Sequence, residues 1–478
     1  MNQTSRTQYE IRLFILKAAL LITLFCAFFF MLSIHNPQII RLSRTAGITM
    51  TTYALMLPVL IHVYHSFEIG RRDTVHIITT TGVSVFMTDA ITYFQLLIMN
   101  FNEDNRSSLA PVPGELFCLF VAFLLQFALI YLFTRKANAL YEFYNPPRKT
   151  CLICVCESDA RFLLSKLASS ARRYRIDKTL YYRHDNLLDE IPNYDQVFLY
   201  DIPLQDRHAL VEHCYKLSKP VAYNMQITDI IGYGAGHDMF EDISFISADN
   251  RRELTIEQRI MKRTLDIIVS SLMLLIVSPL MLICSAAIWL YDHENIFFCQ
   301  PRATKGVRIF TIYKFRTMRT DSDKNRSVQT DDDRITPVGR ILRRFRLDEL
   351  PQLLNILKGD MSLVGPRPEI LSNVESYTAE LPEFSYRLAV KAGLTGYAQI
   401  AGKYNTAPKD KMMMDLMYIE DYSIWRDIKL LLQTVTIFFR KDSTEAFDQK
   451  EPDPLTQIVD AKELSPFPPP TPPEQLRM

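Results

Sequence analysis

The chain has 478 residues, with 54 Lys and Arg against 53 Asp and Glu, so its formal net charge is +1. This balance excludes a protein that is steered to nucleic acid by its net charge. Only 14 glycines and eight scattered cysteines are present, which excludes collagen-like repeats and a secreted disulfide framework. At about 150 residues per domain, the length predicts roughly three structural units.

The first unit, residues 1–140, is predicted to be a transmembrane bundle of four helices. A spanning helix needs about 20 mostly apolar residues. Four segments meet this requirement, at about residues 13–34, 46–67, 75–101 and 116–133. Basic residues lie before the first segment, between the second and third, and after the fourth, which places both ends of the bundle in the cytoplasm. Arg41 and Arg44 in the first outer loop argue mildly in the other direction.

One acidic residue, Asp89, lies inside the third predicted span. An ionisable group in a membrane helix either belongs to a transport path or makes a polar contact with another helix. A transporter built on these spans would show several such groups or paired internal repeats, and the sequence has neither. We therefore expect Asp89 to make a contact between helices.

Residues 150–250 are predicted to form a small, Rossmann-like cytoplasmic α/β domain. Apolar strands at residues 151–156 and 196–201 alternate with helices near residues 162–174 and 209–217, which is typical of a parallel sheet. A dinucleotide site would need a glycine-rich loop after the first strand. That position holds a segment without glycine, Cys156-Glu-Ser-Asp-Ala160, so this domain is not predicted to bind a dinucleotide.

The cysteines of the first strand admit two interpretations. Cys151 and Cys154 have the spacing of a zinc motif, and Cys156 follows them. On a strand, however, the first two face opposite sides, and no second Cys-x-x-Cys is present. We expect buried free thiols rather than a metal site, because cysteine is among the most buried residue types.

A fifth apolar segment, residues 265–290, has basic residues on both flanks. Ser278 and Pro279 lie at its centre, and proline inside a helix removes a hydrogen bond and bends the chain. The serine hydroxyl can satisfy the carbonyl that proline leaves free. Two basic flanks favour a re-entrant helix that returns to the cytoplasm, whereas composition alone favours an ordinary span.

Residues 258–440 carry groups suited to a phosphorylated substrate. Lys314, Arg343 and Arg367 supply positive charge, and arginine can bind phosphate through two parallel hydrogen bonds. Asp348 is ionised at neutral pH and is a plausible nucleophile toward phosphorus. Magnesium held by Glu349 and the substrate phosphates would reduce the repulsion between two anions.

An isolated Asp-Glu pair is usually a solvated helix face, but this pair lies beside arginine, proline and apolar residues. Pro351 disfavours helical backbone at Leu350. We therefore expect an interruption at that point, which would allow the Asp348 and Glu349 carboxylates to converge.

From Lys262 to about Thr434, the chain resembles the bacterial sugar transferase family, the polyprenyl-phosphate glycosyl-1-phosphate transferases. The matching motifs include Lys262-Arg263, Ser278-Pro279, Gln300-x-Arg302, Tyr313-Lys-Phe-Arg-Thr-Met318, Leu347-Asp-Glu-Leu-Pro-Gln-Leu353, Lys358-Gly-Asp-Met-Ser-Leu-Val-Gly-Pro-Arg-Pro368 and Gly393-Leu-Thr-Gly-Tyr-Ala-Gln399. With four spans and an α/β domain upstream, the chain looks like the large multi-span members that begin exopolysaccharide, capsule or O-antigen synthesis.

The resemblance implies a reaction in which a UDP-sugar gives its sugar-1-phosphate to a polyprenyl phosphate, usually undecaprenyl phosphate, and UMP leaves. It implies that Asp348 is the nucleophile and forms a phospho-sugar intermediate, while Glu349 with Asp348 holds Mg²⁺. Lys314, Arg343, Arg367 and Gln399 match substrate-binding positions. Lys262 and Arg263 match a basic pair at the membrane face, where the lipid phosphate would bind.

The family's Ser-Pro pair breaks a re-entrant membrane helix, so the resemblance favours that interpretation of residues 265–290, with a mainly α-helical catalytic domain facing the cytoplasm at the bacterial inner membrane. A homodimer is expected by analogy. Departures such as Phe345, Arg346 and Tyr397 affect the predicted sugar preference rather than the reaction. Residues 441–478 form a Pro-rich tail that is predicted to be disordered.

Two other functions remain open at this point. An inactive scaffold that recruits polysaccharide enzymes would tolerate loss of the Asp-Glu pair, which is intact here. A glycosyltransferase that forms a glycosidic bond would release UDP rather than UMP, so the released nucleotide separates the two reactions.

Overall fold

The structure is a computed structural model of the chain. The residues that it describes are 3–41, 43–70, 72–102, 108–168, 174–184, 186–240, 243–247, 254–319, 334–402 and 406–436. The prediction for the Pro-rich tail, residues 441–478, lies outside this part of the chain. Two compact units divide the chain, with the boundary between Asn224 and Met225.

Four long helices begin the first unit: α1 Gln3–Ser33, α2 Arg44–Val63, α3 Thr74–Asn102 and α4 Pro113–Tyr144. All four are long and apolar enough to cross a membrane. They pack around a shared apolar core that includes Leu24, Phe28 and Ile130, while Phe14, Phe94 and other large apolar side chains face outward. The four helices coincide with the four predicted spans but differ in their ends: α1 begins about ten residues before the predicted start, α4 continues about eleven residues past the predicted end, and α2 ends at Val63 rather than near residue 67.

Asp89 makes the polar contact between helices that the sequence predicts. Gln126 on α4 donates from Nε2 to Asp89 Oδ1 on α3 at 3.3 Å and to the Tyr53 hydroxyl on α2 at 3.0 Å. A second buried acid, Glu115, accepts from Asn36 at 3.0 Å and from the Tyr93 hydroxyl at 2.8 Å. Sequence analysis missed Glu115 because it lies one residue before the fourth predicted span.

The first unit also contains a four-stranded parallel sheet with strand order β2-β1-β3-β4. Its elements are β1 Arg148–Cys154, α5 Glu157–Ala168, β2 Tyr174–Tyr181, α6 Leu187–Glu190, β3 Gln196–Tyr200, α7 Leu204–Lys216 and β4 Val221–Tyr223. The parallel α/β architecture is confirmed. Sequence analysis extended the first helix to residue 174 and missed β2, because this edge strand carries Arg175, Asp177 and Lys178 and lacks an apolar run.

The cysteines of β1 are buried, as expected. Cys151 packs on one face of the sheet with Ile153 and Leu199, and Cys154 packs on the other face with Leu152. Burial raises the pKa of the Cys151 thiol to about 12. No group of three or more His, Cys, Asp or Glu side chains able to hold a metal occurs in the described part of the chain.

The second unit begins earlier than the predicted domain boundary at residue 250. Its first elements are α8 Ile227–Gly234 and the antiparallel pair β5 Gly236–Phe240 and β6 Ile243–Ser247. The apolar side of α8 packs against later elements of the same unit, since Ile230 shares a core with Phe384, Met412 and Leu416. The strand pattern in the sequence does not reveal this packing. The boundary between the two units therefore lies after residue 224 rather than at residue 250.

The rest of the second unit is mostly helical, as predicted, with two small sheets. Its elements are α9 Ile256–Asp292, β7 Phe297–Thr304, β8 Arg308–Phe315, α10 Pro337–Arg344, α11 Gln352–Lys358, β9 Ser362–Val364, α12 Leu371–Glu380, β10 Gly393–Thr395, α13 Tyr397–Ala401, α14 Pro408–Glu420 and α15 Ile424–Thr434. Strands β7 and β8 form a hairpin, and β9 pairs with β10 in parallel.

Helix α9 contains the fifth apolar segment in a single helix of 37 residues. Its central side chains are outside the protein core, with Leu275 73% and Leu282 71% exposed. Pro279 lies within this helix and cannot donate to the carbonyl of Leu275. The Ser278 hydroxyl donates to that carbonyl at 2.9 Å, which is the compensation that the sequence predicts.

Candidate active site

A sharp change in backbone direction presents the Asp-Glu pair. Helix α10 is capped by Thr336, whose hydroxyl accepts from the Gly339 amide at 2.9 Å. It ends at Arg344, and Arg346 adopts a left-handed conformation with φ 53° and ψ 24°. Such a backbone costs an ordinary residue about 1 kcal/mol. The turn Leu347–Glu349 follows as a short 3₁₀ helix, so both carboxylates leave the regular helix.

The predicted cause of this interruption is wrong. Leu350 has right-handed helical angles, φ −55° and ψ −36°, although Pro351 follows it. Pro351 caps the start of α11, where a helix does not require the backbone N–H that proline lacks. The break therefore occurs at Arg346, before the pair, rather than at Leu350.

Glu349 is fixed by two cations from different parts of the fold. Lys314, on β8, donates from Nζ to Glu349 Oε1 at 3.2 Å. Arg367, in the loop after β9, donates from one nitrogen to Oε2 at 3.3 Å and from the other to Oε1. Burial by itself would raise the pKa of Glu349, but Arg367 and Lys314 hold it well below its ordinary value. These two cations therefore favour the ionised form of Glu349.

Asp348 has a different environment from its neighbour. Its side chain is half-buried, and it accepts no hydrogen bond from the residues that the structure describes. Burial and the adjacent Glu349 charge raise the pKa of Asp348, while Lys314, Arg343 and Arg367 act in the opposite direction. The site thus holds one carboxylate locked by cations and a second whose oxygens are open to a ligand.

Two arginines that the sequence prediction left outside the site, Arg302 (half-buried) and Arg387 (buried), hold the Pro366-Arg367-Pro368 loop. Arg302 donates to the Pro368 carbonyl at 3.1 Å, and Arg387 donates to the Arg367 carbonyl at 2.9 Å. Burial lowers the pKa of Arg302 to about 10, and the nearby Arg367 charge adds to this effect. The Gln300-x-Arg302 motif was a signal for the first arginine, but no motif identified Arg387.

Arg343 lies at the C-terminal end of α10, where its Nε donates to the Thr317 hydroxyl at 2.9 Å. Its charge favours the ionised form of Asp348. The fold therefore brings Lys314, Arg343 and Arg367 around the pair, as the sequence predicts. Arg346 joins this group, because its charge also favours ionised Glu349.

Gln399 is not brought into this cluster by its observed contact. It lies on α13, and its amide nitrogen donates to the Leu394 carbonyl at 2.9 Å. The Gln399 amide therefore makes a local hydrogen bond between α13 and β10. A role in substrate binding stays a prediction for this residue.

The two basic residues near the start of α9 make contacts inside the domain, and their role at a lipid phosphate stays a prediction. Lys262 is only 7% exposed, and its ammonium pairs with Asp427. Arg263 donates to the carbonyls of Ile356 and Leu357 at 2.7 and 2.6 Å, at the C-terminal end of α11. Both side chains are used inside the domain, because the buried carboxylate and the helix-end carbonyls need donors.

The donor set fits magnesium of the kind that binds through one or two carboxylates together with substrate phosphates. The Asp348 carboxylate has open oxygens. Glu349 fits as a second ligand only if Lys314 or Arg367 gives up one of its hydrogen bonds. The predicted pair thus offers one ready ligand and one that is already engaged.

Known proteins are similar to the part of the chain that contains this site. A family model described as bacterial sugar transferase matches residues 257–441. The chain is 41% identical over 189 residues to the UDP-glucose:undecaprenyl-phosphate glucose-1-phosphate transferase of Caulobacter vibrioides, a match that covers 38% of this chain and 71% of the relative.

Two further relatives show the same similarity. A UDP-N-acetylgalactosamine-undecaprenyl-phosphate N-acetylgalactosaminephosphotransferase of Aeromonas hydrophila is 40% identical over 179 residues, 36% of this chain and 42% of the relative. The uncharacterized sugar transferase EpsL of Bacillus subtilis is 39% identical over 176 residues, 37% of this chain and 86% of the relative. The matches thus span less than half of this chain.

The two carboxylates are expected to affect stability in opposite directions. Asp348 has a raised pKa in the folded state, so its ionisation opposes folding above that pKa, and D348N should raise the thermal unfolding midpoint at pH 7. E349Q leaves Lys314 and Arg367 without their anion and should cost roughly 3 kcal/mol, the low end for breaking a buried pair, because Arg367 is partly exposed. Thermal unfolding in detergent at pH 7 measures both variants.

The pH dependence provides a control for this assignment. The stabilisation from Glu349 is complete above the ordinary glutamate pKa and is lost as pH falls toward its depressed folded-state pKa. The difference between wild type and E349Q should therefore shrink below about pH 4. A midpoint that falls in D348N as much as in E349Q would contradict the distinction between the two carboxylates.

Proposed function

The chain belongs to the bacterial sugar transferase family, and from this we propose that it transfers sugar-1-phosphate from a UDP-sugar to polyprenyl phosphate, with release of UMP. The single observation that carries the proposal is the contrast between Glu349, which cations lock, and Asp348, which lies open among the same cations. The printed names of the Caulobacter and Aeromonas relatives support undecaprenyl phosphate as the acceptor.

In the proposed first step, an Asp348 carboxylate oxygen attacks the phosphorus that carries the sugar. A new bond forms between this oxygen and phosphorus, and the bond from phosphorus to the bridging oxygen breaks. UMP leaves with that electron pair. In the second step, an oxygen of polyprenyl phosphate attacks the same phosphorus, which gives the lipid-linked diphosphate sugar and returns the Asp348 carboxylate.

The surrounding side chains have separate tasks in this scheme. Lys314, Arg343 and Arg367 offset the charge of the diphosphate, which allows an anionic nucleophile to approach an anionic substrate. Glu349 holds Lys314 and Arg367 in place. The raised pKa of Asp348 makes this carboxylate more basic than an ordinary one, and it needs no general base because it attacks as the ionised form.

We also propose that Mg²⁺ binds with the substrate, through Asp348 and, after exchange of a cation contact, Glu349. When it is bound, the ion supplies further neutralisation of phosphate charge. The protein retains its own four cations near the pair, Lys314, Arg343, Arg346 and Arg367, for binding and orientation.

We propose that α9 is re-entrant and that the catalytic unit faces the cytoplasm at the inner membrane. Near the start of α9, Arg263 binds the carbonyls of Ile356 and Leu357. Near its end, Ile288 shares an apolar cluster with Leu350. A straight helix from 263 to 288 would span about 37 Å, whereas the mostly helical segment from 350 to 357 covers about 10 Å. Packing of both ends near one short segment supports a bent helix with both flanks on one side.

The proposed reaction is tested by release of UMP from a panel of UDP-sugars in membranes supplied with undecaprenyl phosphate. Wild type should release UMP with one donor, and D348N should lose at least about 10³-fold of this activity, because the nucleophile is absent. Nucleotide chromatography separates UMP from UDP and measures both.

The matched control is K358M, which removes an exposed ammonium of α11 outside the proposed site. UDP as the only product would support glycosidic bond formation instead. Membrane-inserted wild type that releases no nucleotide from any donor would support the scaffold. Substantial UMP release by D348N would remove Asp348 as the nucleophile.

Removal of divalent cations tests the magnesium proposal. EDTA should stop UMP release, and added Mg²⁺ should restore it, because the four side-chain cations alone then have to offset the substrate diphosphate and both carboxylates. A chelated sample that keeps full activity would contradict the proposal. An unchanged thermal midpoint in EDTA distinguishes loss of activity from unfolding.

The bent course of α9 is tested by labelling introduced cysteines in a C26S/C156S/C299S background, which removes the native cysteines that are not buried. An exposed position in the first turn of the helix and one after its end, in the variants E257C and N295C, should react from the cytoplasmic side. L109C, in the loop between α3 and α4, should react from the opposite side. Labelling of E257C and N295C from opposite sides would establish an ordinary span.

A further inference from the structure

The first turns of α9 hold the short strand that leads into the Pro366-Arg367-Pro368 loop. From these contacts we infer that Lys262 is a positioning residue, which acts through β9 to hold Arg367 against Glu349; this inference rests on the proposed function. It assigns to Lys262 a part in the first step of the reaction. Contact with a lipid phosphate would instead place it in the second.

Lys262 donates from its ammonium to the Val364 carbonyl at 3.3 Å and pairs with Asp427 of α15. The Tyr418 hydroxyl of α14 donates to both of the same groups, at 3.2 Å to the Val364 carbonyl and at 2.7 Å to Asp427 Oδ1. All four residues are buried. Helices α9 and α14 thus donate to one carbonyl oxygen of β9, and α15 binds both donors through Asp427.

A second residue of α9 holds the same strand one turn farther along. Asp266 accepts at Oδ1 from the Leu363 amide at 2.9 Å and from the Ser362 hydroxyl at 3.0 Å. β9 has only three residues and a single neighbouring strand, β10. Side chains of α9 therefore supply hydrogen-bond partners for the β9 backbone, which a second neighbouring strand would supply in a larger sheet.

The chain between Val364 and Arg367 is rigid, so a shift of β9 reaches the active site. The Gly365 amide donates to the Thr395 carbonyl, and the Pro366 carbonyl accepts from Gly393, both at 2.9 Å. A Cβ on Gly365 would lie 2.3 Å from the Lys391 carbonyl oxygen, which leaves no space for movement. Proline on each side of Arg367 fixes the backbone further.

A buried ion pair is a poor source of stability, because removing two charges from water offsets most of their attraction. Apolar side chains of similar size would hold α9 to α15 at least as well. They would not supply the donor that Lys262 adds to the Tyr418 hydroxyl at the Val364 carbonyl. Val364 lies three residues before Arg367, which indicates that the site uses the Lys262 donor rather than the attraction between the two charges.

The test separates the two steps of the reaction. Wild type, K262M and the control K358M are mixed with the UDP-sugar without polyprenyl phosphate, and the single-turnover release of UMP is followed. K262M should slow this release at least about tenfold, because small misplacement of a positioning group has large effects on rate. Its kcat/KM for undecaprenyl phosphate, which depends only on the second step, should stay within about twofold of wild type, while K358M behaves as wild type.

The opposite pattern would overturn the inference. An unchanged rate of first UMP release with a lowered kcat/KM for undecaprenyl phosphate would assign Lys262 to the lipid phosphate. Wild type that releases no UMP under any condition would mean that the proposed function fails. Wild type that releases UMP, with K262M equal to it in both measurements, would mean that only the positioning role fails.

A double variant keeps the inference testable where K262M folds poorly. K262M/D427L removes both charges and should recover the wild-type thermal midpoint, since apolar replacement of a buried pair is often neutral. Its first UMP release should remain slow, because the ammonium donor to the Val364 carbonyl is still missing and only the Tyr418 hydroxyl remains there. Recovery of both the midpoint and the rate would show that the pair serves stability alone.

Discussion

The ion pairs of Glu349 with Arg367 and Lys314 are the contact on which the site depends. Three segments far apart in sequence, β8, the turn after α10 and the loop after β9, meet at this one carboxylate. A buried anion between two cations is tolerated only when its hydrogen bonds are satisfied. Glu349 meets this condition, and the charges gathered for it also surround the adjacent Asp348.

This arrangement explains how neighbouring residues of similar chemistry can have different roles. Glu349 is held as an anion by its cations, whereas burial and the Glu349 charge work against ionisation of Asp348. The left-handed Arg346 turns both residues out of helix α10, and α11 starts again immediately afterwards. A small local cost in backbone conformation therefore produces a carboxylate that is open to substrate.

The apolar helix α9 is part of the catalytic unit as well as a membrane segment. Its first turns contact β9, α11 and α15 through Lys262, Arg263 and Asp266, and its last turns contact α10 through an apolar cluster with Cys284 and Ile288. Membrane attachment and active-site geometry thus share one element. We expect that a change in the position of α9 would be transmitted to the arginine loop.

The sequence by itself determined the features that depend on local composition and spacing. Apolar runs predicted all five membrane-length helices, strand and helix alternation predicted the parallel sheet, and the Ser278-Pro279 pair predicted its own carbonyl contact. The motifs also identified Asp348, Glu349 and the three cations near them. Each of these signals lies within a few residues of the structure that it predicts.

Only the tertiary structure decided which partner each buried polar group takes. It engaged Lys262 with Asp427, 165 residues away, and Arg387 with the Arg367 carbonyl, whereas sequence analysis placed the first at a lipid phosphate and missed the second. It also placed the backbone break at Arg346, before the Asp-Glu pair, whereas the sequence predicted it at Leu350, after the pair. The physical reason is that a buried charge must find its counter-charge or hydrogen bonds through folding, and distant segments supply them.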